Sequence, residues 1–158
     1  MATPSGSYTL IRQGVSTSTA ITVNQVLAPA LAAIEITRAE VTQDNVTTTG
    51  QTRIQLNRLS TACTVTSTTA APQANGMQAS KCVGGTSATG ITATVEGTIA
   101  ATPWSGGFNV VNGTLYLPVP EQRLLVVGSA AGFVGLKFAT APAAAQFTST
   151  VEWLEFAG

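Results

Sequence analysis

Few residues of this 158-residue sequence could do chemistry, and they are widely spaced. Histidine is absent, so the commonest general base and the usual partner of a serine or cysteine nucleophile are missing. Paired carboxylates could still hydrolyse glycosides, and the candidates are Glu35, Glu40, Asp44, Glu96, Glu121, Glu152 and Glu155. Most of them occupy polar positions of alternating segments, where solvated charges are expected. The sequence therefore predicts no catalytic residue and a protein that is not an enzyme.

Metal and cofactor patterns are equally sparse. Cys63 and Cys82 are the two thiols, and two thiols alone cannot form a four-ligand zinc site. A disulfide between them would pin the intervening chain, and a pair of reduced cysteines is the alternative. The glycine pairs at 84–85 and 106–107 lack the pattern of a phosphate cradle. We expect neither a metal nor a cofactor.

The two tryptophans are the remaining candidates for binding. Trp104 and Trp153 could stack on sugars if they were exposed. A large aromatic side chain in an alternating segment more often belongs to the core, so burial is the expectation for both.

The composition indicates a surface that is covered by neighbours. Only 9% of the residues are charged, compared with roughly 25% in an average domain, and the net charge is zero. Basic residues are scattered, which disfavours nucleic acid as a partner.

No apolar run approaches the roughly 20 residues that cross a bilayer, so we expect no membrane partner. The first residues lack the pattern of a secretory signal, so the expected place of synthesis is a cytoplasm.

Period-2 alternation predicts strands along most of the chain. Ile34 and Ile36 share a face in residues 32–41, and residues 52–59 are expected to pair with that strand as its antiparallel partner. An Asn-Gly turn at 112–113 predicts a hairpin. Further strands are predicted at 7–12, 90–99, 121–127, 133–138 and 146–156.

These segments define the predicted organisation. About eight short strands without a convincing helix indicate an all-β fold, an antiparallel β-sandwich of jelly-roll type. Residues 1–14 are predicted to be an N-terminal arm or edge strand, and 15–158 a single β-sandwich domain. Residues 60–90 are rich in Thr, Ala, Ser and Gly and predict a long surface loop. The arm and this loop are the expected contacts with neighbouring chains.

Most of the chain resembles a known class of viral protein. The segments that carry the likeness are SYTLIRQGVSTSTAITVNQVLAP, AAIEITRAEVTQDNVTTTGQTRIQLNR, GFNVVNGTLYLPVPEQRLLVV and GLKFATAPAAAQFTSTVEWLEF. They resemble small virion proteins of tailed bacteriophages with a TNF-like or jelly-roll β-sandwich, which decorate heads as cement proteins, often as trimers. Residues 60–90 lie outside the likeness.

The resemblance implies a structural function. It implies a homo-oligomer, a trimer, that binds the major capsid protein on the surface of the virion and stabilises the shell. One alternative is a receptor-binding or carbohydrate-binding module of a phage tail fibre. Another is a secreted TNF-like ligand of cellular origin, against which the missing signal argues.

Overall fold

Two antiparallel sheets pack face to face in the computed structural model, which describes residues 4–46, 49–74, 76–128 and 132–156. This arrangement confirms the predicted all-β sandwich. In the described ranges the strands are β1 (Pro4–Thr17), β2 (Thr22–Leu27), β3 (Ala33–Val46), β4 (Gln51–Leu59), β5 (Thr64–Ser67), β6 (Ala71–Pro72), β7 (Gly90–Val95), β8 (Ile99–Asn109), β9 (Thr114–Tyr116), β10 (Leu124–Val127), β11 (Phe133–Phe138) and β12 (Ala145–Phe156). A 3-10 helix at Pro120–Gln122 precedes β10. The described residues contain no helix long and apolar enough to cross a membrane.

Each sheet has six strands. In the first sheet the order is β10-β3-β12-β1-β6, and β9 also pairs with β3. In the second sheet the order is β5-β7-β2-β11-β4-β8. The strands β10 and β9 therefore form one edge of the first sheet, while β8 forms an edge of the second.

The period-2 alternation correctly predicted which faces of β3, β4 and β12 are buried. In β12 the side chains of Phe147, Ser149, Val151 and Trp153 are all buried, as the period of two requires. The predicted inward residues of β3 and β4 are buried as well, including Ile34, Ile36, Ile54 and Leu56. The two sheets thus bury one face each and share a core.

The strand pairing differs from two sequence predictions. The prediction that β3 and β4 pair is wrong, because β3 pairs with β12 while β4 pairs with β11 and β8 in the other sheet. The predicted hairpin of β8 and β9 is also wrong, because β9 pairs with β3. The turn itself exists: Asn112 N donates to Asn109 O, and Gly113 has a φ of +70°. It carries the chain from one sheet to the other.

Three of the twelve strands in the described ranges were not predicted. In β2, a strand buried on both faces, the polar residues Asn24 and Gln25 are buried too and hide the alternation. The strands β5 and β6 have four and two residues and lie in the Thr- and Ala-rich tract. Short strands without large apolar residues carry no periodic signal.

The N-terminal segment is part of the first sheet. β1 pairs with β12 from Pro4 to Thr17 and with β6 at Tyr8 and Thr9. A register shift lies between Arg12 and Val15, around the predicted boundary at residue 14. Residues 1–3 of the predicted arm lie outside the described residues.

The tract at 60–90 folds onto the sandwich. It contains β5 and β6, and the described residues between 73 and 89 are irregular. Tyr8 Oη donates to Gln78 O at 3.1 Å, and Ser80 and Cys82 are buried. Its role as a contact with neighbouring chains stays a prediction.

Candidate functional site

Exposed apolar side chains gather at one edge of the first sheet. Eleven large hydrophobic residues are exposed in the described part of the chain, and five of them lie between residues 115 and 127. We call this set the apolar rim; its members are Leu115, Leu117, Val119, Leu125 and Val127, which are 47–68% exposed. Scattered exposed hydrophobic residues are ordinary, whereas a contiguous group marks an interaction surface.

The local sequence explains why the rim is exposed. Alternation in β10 buries Leu124 and Val126 and turns Leu125 and Val127 to solvent. Two prolines flank Val119, and proline cannot donate to a ladder, so this stretch leaves the sheet. The leucines and valines of the apolar rim are therefore exposed, either because they lie on the outward face of a strand or because the strand is interrupted.

Register extends the rim across the outer face of the sheet. Val127 is opposite Ala33, which in turn is opposite Phe156 on β12. In the neighbouring row Leu125 and Leu154 lie on either side of Glu35. Leu154 and Phe156 are half-buried, so the apolar surface spans three strands at this end of the sheet.

Leu31 projects from the turn before β3. Its side chain is 89% exposed, the largest value among the exposed hydrophobic residues of the described chain, and its φ is +60°. Ala32 N donates to Pro29 O at 3.2 Å, and Gly128 N donates to Ala32 O at 2.7 Å, so the turn is fixed beside the end of β10. A branched residue rarely adopts a positive φ. Nothing in the fold itself requires leucine here.

A groove opens between the facing edges of the two sheets. Its volume is about 600 Å³, and its apolar wall consists of Ala101, Pro103, Trp104, Tyr116, Pro118 and Leu124. The rings of Trp104 and Tyr116 have centroids 5.4 Å apart at an angle of 52°, which fixes the floor. We call it the edge groove, because β8 forms one side and β9 with β10 the other.

Two arginines line the edge groove. Arg58 donates to Leu125 O at 2.8 Å, and Arg123 forms an ion pair with Glu35 at 2.9 Å. The Nε atom of Arg123 is buried and has no hydrogen-bond partner among the described residues. Gln122 completes the polar part of the lining.

The tryptophans occupy different environments. Trp153 is fully buried, and its ring lies 6.3 Å from that of Tyr8, so it belongs to the core. Trp104 is half-buried and reaches the edge groove. The expectation of burial is correct for Trp153 and only in part for Trp104.

The carboxylates serve separate contacts. Arg38 bridges Glu40 and Glu152, Glu35 pairs with Arg123, and Thr148 donates to Asp44 at 2.7 Å. No group of three or more metal-ligating side chains occurs in the described ranges. A bridging arginine between two carboxylates is typical of a surface ion-pair network.

Glu96, which directly follows β7, contacts the two neighbouring interior strands β2 and β11. It accepts from Thr22 N at 2.7 Å and pairs with Lys137 at 2.9 Å. Burial alone would raise the pKa of Glu96, but the bonds from Lys137 and Thr22 outweigh it and hold this pKa below its ordinary value. The contact stabilises the start of β2 against β11.

Two charged residues are buried for structural reasons that the sequence did not reveal. Glu155 accepts from the Ser80 hydroxyl, from Lys81 N at 3.0 Å and from Trp153 Nε1 at 3.2 Å. Arg12 is 1% exposed and donates to the hydroxyls of Thr92 and Thr17; burial lowers the pKa of its guanidinium.

The cysteines are both free and both buried. Cys82 belongs to the main core, whereas Cys63 belongs to a smaller cluster with Leu59, Val65 and Phe133. Burial, followed by the charge of Glu155, raises the pKa of the Cys82 thiol. Of the two alternatives for this pair, the structure contains the reduced one.

The apolar rim, the edge groove and the exposure of Leu31 were not predicted from the sequence. The one usable signal for the rim is the pair of prolines at 118 and 120, which separates apolar residues from the ladder. Leu31 lies in an Ala-rich stretch after Pro29, where no periodicity distinguishes it.

Comparison with known proteins gives no match. The chain matches no family model, no curated protein and no solved structure. The fold and the surfaces described above are therefore the basis for a functional proposal.

Proposed function

We propose that this protein is a non-enzymatic structural protein of a bacteriophage virion that assembles with copies of itself and binds the head surface as a decoration protein. The observation that carries this proposal is the apolar rim, which lies on a domain with few charges. A solvent-exposed group of leucines and valines is favourable only when a partner covers it.

The weak electrostatics of the chain agree with this function. With a net charge of zero, there is little electrostatic repulsion between copies of the chain. Because few residues are charged, few charged groups lose their hydration when the surface packs against a capsid. Interfaces of standard size bury about 800 Å² on each partner, which is about a tenth of the 7411 Å² surface of this chain. The rim and its neighbours on the sheet offer the centre of such an interface.

The test is to locate the chain in purified particles by cryo-electron microscopy. We expect density for the sandwich in symmetric copies on the outside of the head, with the protein bound to the major capsid protein. Its absence from the head, or a location only at the tail tip, would contradict the proposal.

A variant of the rim tests the carrying observation directly. The double substitution Leu117→Ser and Val119→Ser removes two exposed apolar side chains and is expected to lower head occupancy at least several-fold. Val95→Ser is the matched control, because Val95 is also exposed but lies on β7 of the other sheet. Equal occupancy of the two variants would exclude the rim as the contact.

A carbohydrate-binding module of a tail fibre is the second candidate, and Trp104 is the observation that favours it. This ring reaches an open groove together with Arg58, Arg123 and Gln122, which are side chains that bind sugar hydroxyls and acids. A glycan array separates the two functions. Sugar binding that disappears in Trp104→Ala would favour the fibre module over decoration.

A further inference from the structure

Leu31 and the edge groove are chemically complementary but do not meet within one chain. Leu31 is 89% exposed, so it does not occupy the groove of its own chain. The groove is open, and beside the Trp-Tyr pair each sheet edge contributes two aliphatic or proline side chains, Ala101 and Pro103 on one side and Pro118 and Leu124 on the other. A projecting leucine and an unfilled apolar groove on the same chain can satisfy each other only between copies.

Leu31 and the edge groove lie near opposite ends of β10, an arrangement that allows the same contact to repeat from copy to copy. Leu31 lies beside the end of β10 through the bond from Gly128 to Ala32, and Leu124 at the start of β10 lines the groove. Three residues of strand separate these ends by about 10 Å. The rim residues Leu125 and Val127 lie on the same strand and are exposed on its outer face.

We propose that Leu31 of one copy docks into the edge groove of a second copy, in a head-to-tail contact. This inference rests on the self-assembly in the proposed function and specifies its interface. Because donor and acceptor patches differ, the contact is heterologous, and such contacts close into rings when the rotation between copies allows it.

The backbone at Leu31 supports a role outside the folded chain. A φ of +60° suits glycine, and leucine at this angle destabilises the fold. Within one chain, the exposed side chain gives no burial to offset this strain. Burial in a partner would offset it, since a fully buried leucine gains more than the strain costs.

A second copy fits these features better than another protein does. A head protein would need one pocket for Leu31 and a separate apolar segment for the edge groove. A copy of the same chain supplies both, and each added copy repeats the same pair. The polar lining from Arg58 and Gln122 lies beside the apolar wall and leaves space for the aliphatic side chain.

The first experiment is disulfide trapping in the full chain. Leu31→Cys is mixed with Ala101→Cys, whose position lines the groove, and the mixture is oxidised gently. We expect a covalent dimer that contains one of each variant. The chain with both substitutions should give a series of covalent oligomers whose largest member has the number of copies in the closed ring. The native Cys63 and Cys82 are buried and do not compete.

The matched control pairs Leu31→Cys with Val95→Cys, an exposed position on the other sheet. We expect no mixed dimer from this pair. Equal trapping at both positions would show random collision and would overturn the proposal, as would a failure to trap Ala101→Cys when the wild-type chain is oligomeric.

The second experiment separates association from folding. Leu31→Gly removes the side chain and relieves the positive φ, so thermal stability should be unchanged or higher. Association measured by sedimentation should weaken about 10- to 30-fold, the value of one buried leucine. Unchanged association would overturn the proposal.

The outcomes also distinguish this inference from the proposed function. If the wild-type chain is monomeric but Leu31→Gly lowers head occupancy, then Leu31 binds the capsid, and the docking between copies is wrong. If trapping succeeds but no chain is found on heads, the interface stands and the decoration function fails.

Discussion

At the scale of single residues, the buried carboxylate of Glu155 connects the tract at 73–89 to the sandwich through several hydrogen bonds. It accepts from Ser80 and Lys81 of the tract and from Trp153 of its own strand. When a buried acceptor is removed, its donors remain buried without a hydrogen-bond partner. The free-energy cost of these unpaired donors exceeds the net contribution of the hydrogen bonds themselves.

We therefore expect Glu155→Ala to lower the free energy of unfolding by about 3 kcal/mol. Chemical denaturation measures this change, and Glu121→Ala is the control because Glu121 is exposed on the 3-10 helix. The control should stay within about 0.5 kcal/mol of the wild type. A similar small change in Glu155→Ala would show that the carboxylate does not hold the tract.

Glu96 makes the stability depend on pH. Its folded pKa lies below the ordinary value of 4.5, so its contribution to stability is present above pH 4.5 and is lost as the pH falls through the lower folded value. Glu96→Gln should be about 1–2 kcal/mol less stable than the wild type near pH 7. The difference should shrink in acid.

Thermal melting between about pH 7 and pH 3 measures the effect of Glu96 on stability. Glu121→Gln serves as the control, since Glu121 is exposed and should follow the wild-type curve. If Glu96→Gln and the wild type differ by a constant amount at every pH, the carboxylate is not the source of the dependence.

At the scale of elements, the connection between β8 and β9 depends on Gly113. This residue has a φ of +70°, and a Cβ there would lie 2.5 Å from Val41 O on the neighbouring strand. Gly76 has a φ of +81° with no atom within 4 Å of such a Cβ. The two glycines therefore share the backbone strain and differ in the steric contact.

Gly113→Ala should accordingly destabilise the fold by about 1–3 kcal/mol more than Gly76→Ala does. Equilibrium unfolding of both variants measures the difference. Equal losses would mean that the turn yields without disturbing β3 and that the crossing between the sheets is not constrained by this contact.

The same connection illustrates what a sequence can predict. The Asn-Gly pair predicted a chain reversal, and Gly113 does occupy one. Pairing partners are set by residues far away along the chain, so no local signal could assign β9 to β3 and β8 to β4. Alternation, which is local, placed the buried faces of β3, β4 and β12 correctly.

The candidate site was less predictable than the fold for a related reason. Arg12, Glu155 and Trp104 owe their environments to segments that are distant in sequence. Leu31 differs from any other loop residue only through its backbone angle and exposure, which the sequence does not encode locally. The arm and the tract at 60–90 were predicted as contacts from composition, and composition does not show that both pack on the sandwich.

At the scale of the whole molecule, assembly is the central claim. The chain has a closed core, and its apolar rim, edge groove and Leu31 all lie at one side of the first sheet. A truncation of residues 1–14 would not test this claim, because it removes the buried Tyr8, Leu10 and Arg12 and thereby part of the core.

The most direct measurement is the native mass of the full chain in solution. At concentrations of tens of micromolar we expect a trimer, with a mass three times the 16.0 kDa of one chain. A chain that stays monomeric throughout that range would contradict the account of a self-assembling structural protein.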